Sequence, residues 1–258
     1  MSILYFLYRL TSLCLSSTVA YGKYLHHFCP NTTTFTAKSS FQPHRDQLLR
    51  TLVSNATRDN GFYYASAGGQ ISNETVNGLF LCRGDLSKDA CSDCLFAVAS
   101  DVVKRCPIEK KAIIWYDYCM IRYSNYSFFS IDEDSPFHFK WNWNEENVRQ
   151  EGDAFEASFN YVVGNTMKLL VQQVASATKK FATKESYTKI LFGQPFYSLG
   201  QCTQDLSTAD CNSCLTRATE NLQSMNATGK QGAILLSPSC NMRFDLEPFY
   251  TALPPPPS

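Results

Sequence analysis

Apolar residues recur at helical spacing after Ser87, a residue type that commonly caps the N-terminus of a helix. Positions three and four residues apart share one side of a helix, so this spacing predicts an amphipathic helix with one stripe turned toward a core. The stripe consists of Cys91, Cys94, Leu95, Val98, Val102 and Cys106. A second helix is predicted over residues 41–56, and its counterpart later in the chain over about 158–178.

Alternation of apolar and polar positions over residues 112–123 predicts a β-strand with Ile113, Trp115, Cys119, Ile121 and Tyr123 on one face. Shorter runs predict strands at 62–65, 76–83 and 128–132, and at 189–192, 197–202, 233–237 and 240–245. The predicted fold class is α+β: two similar domains, each with an antiparallel sheet of about five strands packed against two helices.

The chain is an internal repeat. The spacing C-x8-C-x2-C occurs at Cys82 and again at Cys202, and further matches keep the same offset of 120 to 121 residues. We place the first domain at 23–137 and the second at 146–252, joined by a linker at 138–145 and followed by a proline-rich tail at 253–258. Trp141 and Trp143 are expected to dock this linker on a domain surface.

Composition and charge narrow the functional classes. The 258 residues include 44% apolar side chains, as in globular proteins. With 23 basic and 23 acidic side chains, the chain offers no electrostatic case for nucleic acid or an anionic membrane. Residues 1–22 have the apolar run and small residues of a secretory signal peptide, with cleavage after Ala20 or after Gly22. No later apolar run is long enough to span a membrane, so we expect a secreted protein.

Export explains the cysteines. Removal of the leader takes Cys14 away and leaves ten, which predicts five disulfides. Cys29 and Cys106 are the two cysteines of the first repeat that have no counterpart in the second. Their joint absence leaves no unpaired thiol if they are partners, and this favours a Cys29–Cys106 bridge.

The remaining four cysteines of each repeat allow three connectivities. The Cys82 strand ends beside the start of the helix that carries Cys91, and Cys94 lies one turn further on, within reach of an inward-facing Cys119. A bridge between Cys91 and Cys94 would need a strained closure within one helical turn, so we rank it low. The favoured pairs are Cys82–Cys91, Cys94–Cys119, Cys202–Cys211 and Cys214–Cys240.

A zinc site, a redox-active thiol pair and histidine-based catalysis are each less favoured by the sequence than structural disulfides. A zinc site would use C-x2-C pairs that lie far apart in separate repeats, and a redox C-x-x-C would need thiols that have better structural partners. All four histidines, His26, His27, His44 and His138, fall in the first half of the chain, and no recognisable motif places a nucleophile beside them. We therefore expect no catalytic residue, no metal and no cofactor. Asn-x-Ser/Thr acceptors for glycosylation occur at Asn31, Asn55, Asn73, Asn125 and Asn226.

The cysteine spacing, the Arg that follows the last cysteine of each repeat by three, and the trailing aromatic pairs resemble one plant family. It is the ginkbilobin-homologous, or stress-antifungal, domain, and two copies behind a leader resemble a cysteine-rich repeat secretory protein. The resemblance implies a five-stranded sheet with two helices in each domain, and the disulfide connectivity favoured above. It also implies an extracellular role in the plant apoplast.

The family's mannose site implies an Asn directly after the first cysteine, an Arg six residues before the last cysteine and an acid five residues after it. The first repeat has Pro30, with Asn31 one further on, and Ile113 and Ser124 at these places. The second repeat lacks the first cysteine and has Ile234 and Asp245. At best one group per repeat is kept, so this site is not carried over.

The function that we predict is that of a secreted, non-enzymatic recognition protein in defence or stress responses. Its expected partner is a cell-wall glycan or another carbohydrate, or a receptor ectodomain. Direct antifungal activity of a lectin-like kind is one alternative, and an extracellular thiol-redox protein is another. The candidate ligand surface consists of Tyr116, Tyr118, Arg122 and Arg243. For the two arginines, a structural salt bridge to an acid such as Asp117 or Asp245 is favoured over contact with a ligand, whereas the two tyrosines fit a stacking surface and core packing equally.

Overall fold

The computed structural model describes residues 21–36, 38–69, 74–133, 135–141, 153–187, 195–224 and 230–251. Over these ranges the chain forms two α+β units, each with one antiparallel five-stranded sheet and two helices on one face of that sheet. The predicted fold class is confirmed. The helices are α1 (Phe41–Ser54), α2 (Lys88–Arg105), α3 (Asp153–Ser176) and α4 (Thr208–Ser224). The strands of the first unit are β1 (Tyr24–Phe28), β2 (Phe62–Ala67), β3 (Val76–Cys82), β4 (Ala112–Tyr116) and β5 (Cys119–Ser124). Those of the second are β6 (His138–Trp141), β7 (Phe181–Tyr187), β8 (Pro195–Cys202), β9 (Gly232–Leu236) and β10 (Cys240–Asp245).

The two sheets have the same topology, which confirms the repeat at the level of the fold. Their strand orders are β1-β4-β5-β3-β2 and β6-β9-β10-β8-β7, so each strand of one unit has an equivalent in the other. Counting from the shared cysteines, Trp115 on β4 is equivalent to Leu236 on β9. Those two residues pair with His26 and His138, which are therefore equivalent as well.

Helix α2 begins where the sequence predicts. The Ser87 hydroxyl accepts a hydrogen bond from the Ala90 N–H at 3.2 Å, which satisfies one of the free donors of the first turn. Asp89 in the first turn and Lys104 and Arg105 in the last complement the helix dipole. Ser207 caps α4 in the same way, through the Asp210 N–H at 3.1 Å.

Each unit has its own core between helices and sheet, and the disulfides lie in or beside it. The five pairings favoured from the sequence are those present: Cys29–Cys106, Cys82–Cys91, Cys94–Cys119, Cys202–Cys211 and Cys214–Cys240. Cys94–Cys119 and Cys214–Cys240 each tie the first turns of a helix to the start of a strand below it.

The prediction of one strand over 112–123 is wrong. The chain turns at Asp117 and Tyr118 and forms the β4–β5 hairpin, in which Trp115 pairs with Met120. Asp is favoured in turns because its side chain hydrogen-bonds nearby backbone. The reversal sends Ile113 and Trp115 to the face away from the helices, and Cys119, Ile121 and Tyr123 to the helix face.

Two other predicted strands are not found among the described residues. Residues 128–132 are not a strand, because this segment leaves the first sheet and crosses to the second unit, with a positive φ of 59° at Ser130. The strand predicted at 189–192 lies outside the described residues. At the edge of the second sheet beside β8 the structure has β7, a strand that was not predicted.

The placement of His138–Trp141 in a linker is corrected by the structure. These residues form β6, which pairs with β9 and completes the second sheet, so this unit begins eight residues before the predicted 146. Its residues, His-Phe-Lys-Trp, alternate polar and apolar positions, but four residues are at the lower limit of the length at which alternation indicates a strand. The described residues do not include Trp143, residues 1–20 of the predicted leader or the tail at 253–258.

The two sheets meet through their helix-free faces. An apolar cluster fills this contact and joins Leu25, Ile113, Trp115 and Met120 of the first unit to Leu236 of the second, with Ile234 packed against it. Within the described residues, no helix is both long and apolar enough to cross a lipid bilayer.

Candidate functional site

The contact between the sheets holds a small cavity of about 40 Å³. Charged and aromatic side chains from both units line it, among them Arg83, Asp117, Tyr118 and Arg243. A volume of this size accommodates a few water molecules and no sugar ring. The cavity is a narrow gap between the units, lined by apolar as well as charged side chains, and we call it the seam.

Arg243 lies in this seam and connects the units. Its guanidinium donates to Asp117 of the first unit at 2.9 Å and to Asp245 beside it at 3.1 Å, and it lies 3.9 Å from the Phe249 ring centroid. Arg83 approaches Asp117 from the other side at 3.9 Å and pairs with Asp85 at 2.7 Å. Asp117 thus lies between two arginines, and each of these arginines is paired with two carboxylates.

Arg122 occupies the equivalent position in the first unit and is 1% exposed. It donates to Glu133 and lies 3.8 Å from the Phe128 ring centroid. Burial lowers the pKa of its guanidinium and Glu133 acts against this shift, so Arg122 remains a charged structural group. Its assignment to a ligand surface is wrong, because the crossing segment that carries Phe128 and Glu133 covers it.

Two equivalent aspartates clamp the units together. Asp85 accepts a hydrogen bond from the Thr251 N–H of the second unit at 3.0 Å, and Asp205 accepts one from the Ser130 N–H of the first unit at 2.7 Å. The segment after the last strand of each unit is thereby held against the cysteine loop of the other. A further bond runs from Gln201 Nε2 to the Cys82 carbonyl oxygen at 2.8 Å.

The predicted surface tyrosines are half-buried. The Tyr116 hydroxyl donates to Asp101 at 2.8 Å, and burial together with this carboxylate raises the pKa of Tyr116. The Tyr118 ring lies below the Arg83 guanidinium, 5.0 Å from ring centroid to carbon. The structure brings Tyr116, Tyr118 and Arg243 to one cavity and leaves Arg122 outside it.

Four of the places of the family's sugar contacts are used for packing. Ile113 and Ser124 are fully buried, and Ile234 packs against the cluster between the sheets. Asp245 is 4% exposed and is paired with Arg243. These positions leave no open group for a pyranose hydroxyl.

The ten cysteines of the described residues are joined in disulfides. No group of three or more His, Cys, Asp or Glu side chains there has the arrangement of a metal site. Of the glycosylation acceptors, Asn31 is exposed, whereas Asn55 and Asn125 are half-buried. Asn73 and Asn226 lie outside the described residues, and glycosylation stays a prediction.

Sequence reasoning missed the clamp at Asp85 and Asp205 and the contact between His26 and His138. A signal for the clamp was present, since Asp-Leu-Ser recurs at the same place in both cysteine loops. No comparable signal marks the histidines, because the two repeats reach their first strands through segments of different length.

Comparison with known proteins agrees with this architecture. A family model described as salt stress response/antifungal matches residues 28–126 and 142–247. An antimicrobial ginkbilobin-2-like protein of Castanea crenata is 37% identical over 230 residues, covering 88% of this chain and 89% of that protein. Cysteine-rich receptor-like protein kinase 25 of Arabidopsis thaliana is 37% identical over 242 residues, which cover 91% of this chain and 35% of the kinase. The chain thus spans about a third of the length of that kinase.

Solved structures share the fold. The tandem DUF26 ectodomain of the Arabidopsis thaliana cysteine-rich receptor-like protein PDLP8 superposes with a TM-score of 0.69 at 21% identity, covering 87% of this chain and 98% of that one. The corresponding ectodomain of PDLP5 gives a TM-score of 0.68 at 22% identity. With its two cysteine-linked units, each matched by the family model, this chain belongs to the salt stress response/antifungal family.

Proposed function

We propose that this chain acts outside the cell as a non-enzymatic recognition protein in defence or stress responses, and that its partner is an extracellular protein such as a receptor ectodomain. The observation that carries the proposal is the burial of the sugar-contact positions in the contact between the units. Ile113 lies in the apolar cluster between the sheets and Asp245 is paired with Arg243, so a partner has to bind other surfaces of the two units.

Three further observations support this proposal. Five disulfides suit an oxidising, extracellular compartment. The chain resembles a receptor-like kinase over about a third of the length of that kinase, and its fold is shared by the ectodomain of a cysteine-rich receptor-like protein. The aspartates of the seam are all ion-paired with Arg83 or Arg243, so among the described residues these carboxylates are engaged in structural contacts rather than poised for acid–base chemistry.

Affinity capture with a follow-up binding measurement tests the proposal. The protein, purified from a secreting host with its disulfides intact, is cross-linked in plant extracellular fluid, and the captured protein is expressed and titrated against it. Saturable binding that disappears when the bait is reduced and alkylated is expected. Saturable binding to a glycan array with no captured protein would overturn the choice of a protein partner.

Direct antifungal activity is a second candidate, favoured by the 37% identity to an antimicrobial protein along 89% of its length. It requires growth inhibition by the purified protein alone. Inhibition of fungal cultures by the intact protein, absent with the reduced and alkylated form, would support it. Unchanged growth at concentrations that saturate the captured partner would exclude it.

A further inference from the structure

An acidic cluster of tyrosines lies on the helix-free face of the second sheet, at the end that the first unit leaves uncovered. The cluster consists of Tyr187, Tyr197, Tyr250, Glu185 and Glu247. Alternation along β7 puts Phe181, Glu185 and Tyr187 on one face. Phe181 approaches Gly84 of the first unit, which identifies this face as the one turned toward that unit.

Cross-strand pairing holds the cluster together. Glu185 lies directly opposite Tyr197 in the β7–β8 ladder, so their side chains are neighbours on this face. The Tyr250 ring stands edge-on to Tyr197 with centroids 5.9 Å apart, and the Tyr187 hydroxyl donates to Glu185 at 3.4 Å. Tyr187 is 69% exposed, and both glutamates are exposed.

The charge of the cluster is unbalanced. Partial desolvation and the carboxylates of Glu185 and Glu247 raise the pKa of Tyr197, and burial and Glu185 raise that of Tyr250. Among the described residues, no lysine or arginine contributes to either shift. Lys184 alternates to the helix face, and Arg243 is already paired with Asp117 and Asp245. Two carboxylates and the Tyr187 ring are thus presented to solvent beside the half-buried rings of Tyr197 and Tyr250, without a counter-charge from the described residues.

The first unit shows that the fold does not require this arrangement. The positions equivalent to Glu185 and Glu247 are Ser66 and Tyr126. Ser66 bonds to Asn77 at 2.7 Å, and Tyr126 accepts a hydrogen bond from Lys111. That place in the first unit therefore has a lysine beside it. In the second unit it has two acids, and no ion pair joins either of them to a lysine or arginine of the described residues.

We propose that the tyrosine cluster of the second unit docks a basic segment of an extracellular protein, with a lysine or arginine side chain held between the tyrosine rings and the two glutamates. Aromatic faces attract cations through their quadrupole, and carboxylates at the rim neutralise the charge and accept its hydrogen bonds. This inference rests on the proposed function, since it assigns the surface through which a protein partner is bound.

Fluorescence anisotropy tests the proposal with a labelled peptide in which lysine and arginine alternate with glycine, and with a glutamine analogue as the uncharged probe. The intact protein is compared with E185Q/E247Q and with D89N/E220Q, which removes two exposed acids elsewhere. We expect saturable binding by the intact protein at about 150 mM salt, equal binding by D89N/E220Q and roughly tenfold or greater weakening in E185Q/E247Q. The glutamine analogue is expected not to bind.

Equal loss in the two double variants, or unchanged binding by E185Q/E247Q, would overturn the proposal, as would absence of binding by the intact protein. A Y187A/Y197L variant separates aromatic from charge contributions, and its unchanged affinity would likewise contradict the inference. The test is distinct from that of the proposed function. If E185Q/E247Q retains full affinity for the captured partner, the recognition function stands and this docking surface does not.

Discussion

The imidazole rings of His26 and His138 are stacked face to face, with centroids 3.4 Å apart and planes inclined by 1°. The two residues occupy equivalent positions on β1 and β6, the edge strands of the two sheets. The contact therefore joins the same position of each repeat. Lys140 and His27 are the other charged or titratable groups that act on His26, and none of these neighbours is an acid.

Acid should weaken this contact. Burial, followed by His138, His27 and Lys140, lowers the pKa of His26 to about 4, and burial and Lys140 lower that of His138. In the unfolded chain His26 is protonated near pH 6.5, whereas in the folded chain it is protonated only near pH 4. The free energy of unfolding therefore falls as the pH drops from 6.5 to 4. Because the rings are partly solvated, we expect a loss on the order of 1 kcal/mol.

Urea unfolding at several pH values measures this effect. An H26F/H138F variant keeps two stacked rings without the titration, and its stability should fall less between pH 6.5 and pH 4. H44Q removes a histidine outside the contact and should follow the unchanged protein. Identical pH profiles for H26F/H138F and the unchanged protein would contradict the prediction.

The ion pair between Arg243 and Asp117 should couple the units. Their side chains are 21% and 25% exposed and 2.9 Å apart, so solvent screens them only in part. A double-mutant cycle with R243M and D117N is expected to give a coupling of about 1 kcal/mol in the free energy of unfolding. The exposed Lys88–Asp59 pair serves as control and should give a coupling close to zero, since its side chains are 55% and 90% exposed. Equal coupling for both pairs would refute the special role of Asp117.

Truncation of Leu236 should destabilise both units together. This side chain is 2% exposed and lies in the apolar cluster with Leu25 and Trp115. L236A is expected to cost about 2–4 kcal/mol, because it removes buried methyl groups and leaves a void. L169A, at a position that is 51% exposed, should change stability by less than about 0.5 kcal/mol. Two separate unfolding transitions in the unchanged protein would show that the units do not depend on this cluster.

The Cys29–Cys106 bridge should contribute more than any short bridge. It spans 77 residues, against 9 for Cys202–Cys211, and the chain-entropy model gives about 4.5 and about 2.7 kcal/mol respectively. The second unit lacks an equivalent of the long bridge and should be the less stable of the two. In the full chain, C29A/C106A is expected to lower the free energy of unfolding more than C202A/C211A does. The reverse order would show that packing outweighs loop entropy here.

We predict that the signal peptide expected from the sequence is cleaved after Ala20, because the fold uses Tyr21 and Gly22. Gly22 has a φ of +77°, and a Cβ at this position would lie 2.7 Å from Tyr118, so the fold requires a glycine there. Tyr21 lies against Tyr116 with ring centroids 6.5 Å apart. N-terminal sequencing of the secreted protein is expected to begin Tyr-Gly-Lys. A sequence that begins at Lys23 would place the cut after Gly22.

Much of each unit could be predicted from the sequence because its determinants are local. The apolar stripe from Cys91 to Cys106 and the Ser87 cap define α2 within one stretch of chain. The pairing of Cys82 with Cys91 follows from the short segment between them. The lack of counterparts to Cys29 and Cys106 identified the one long bridge through the comparison of two copies.

The candidate site could be predicted only in part. Tyr118 and Arg243 do lie at one cavity, but their significance depends on Asp117, which is 126 residues from Arg243 in the chain. Arg122 and Arg243 each follow the last cysteine of their repeat by three and precede an aromatic residue, and only the folded chain shows that one is buried under Phe128 while the other bridges the units.

The sequence by itself determined the two cysteine-linked α+β units, because periodicity, capping and covalent pairing act over short distances or between copies. The tertiary structure alone decided the turn at Asp117, the strand at His138–Trp141 and the meeting of the two helix-free faces. Alternating apolar residues such as Ile113 and Trp115 look the same in a sequence whether they face a domain's own helices or a second domain. Which surface they cover is set by the complementarity of two complete sheets, and that exists only after both have folded.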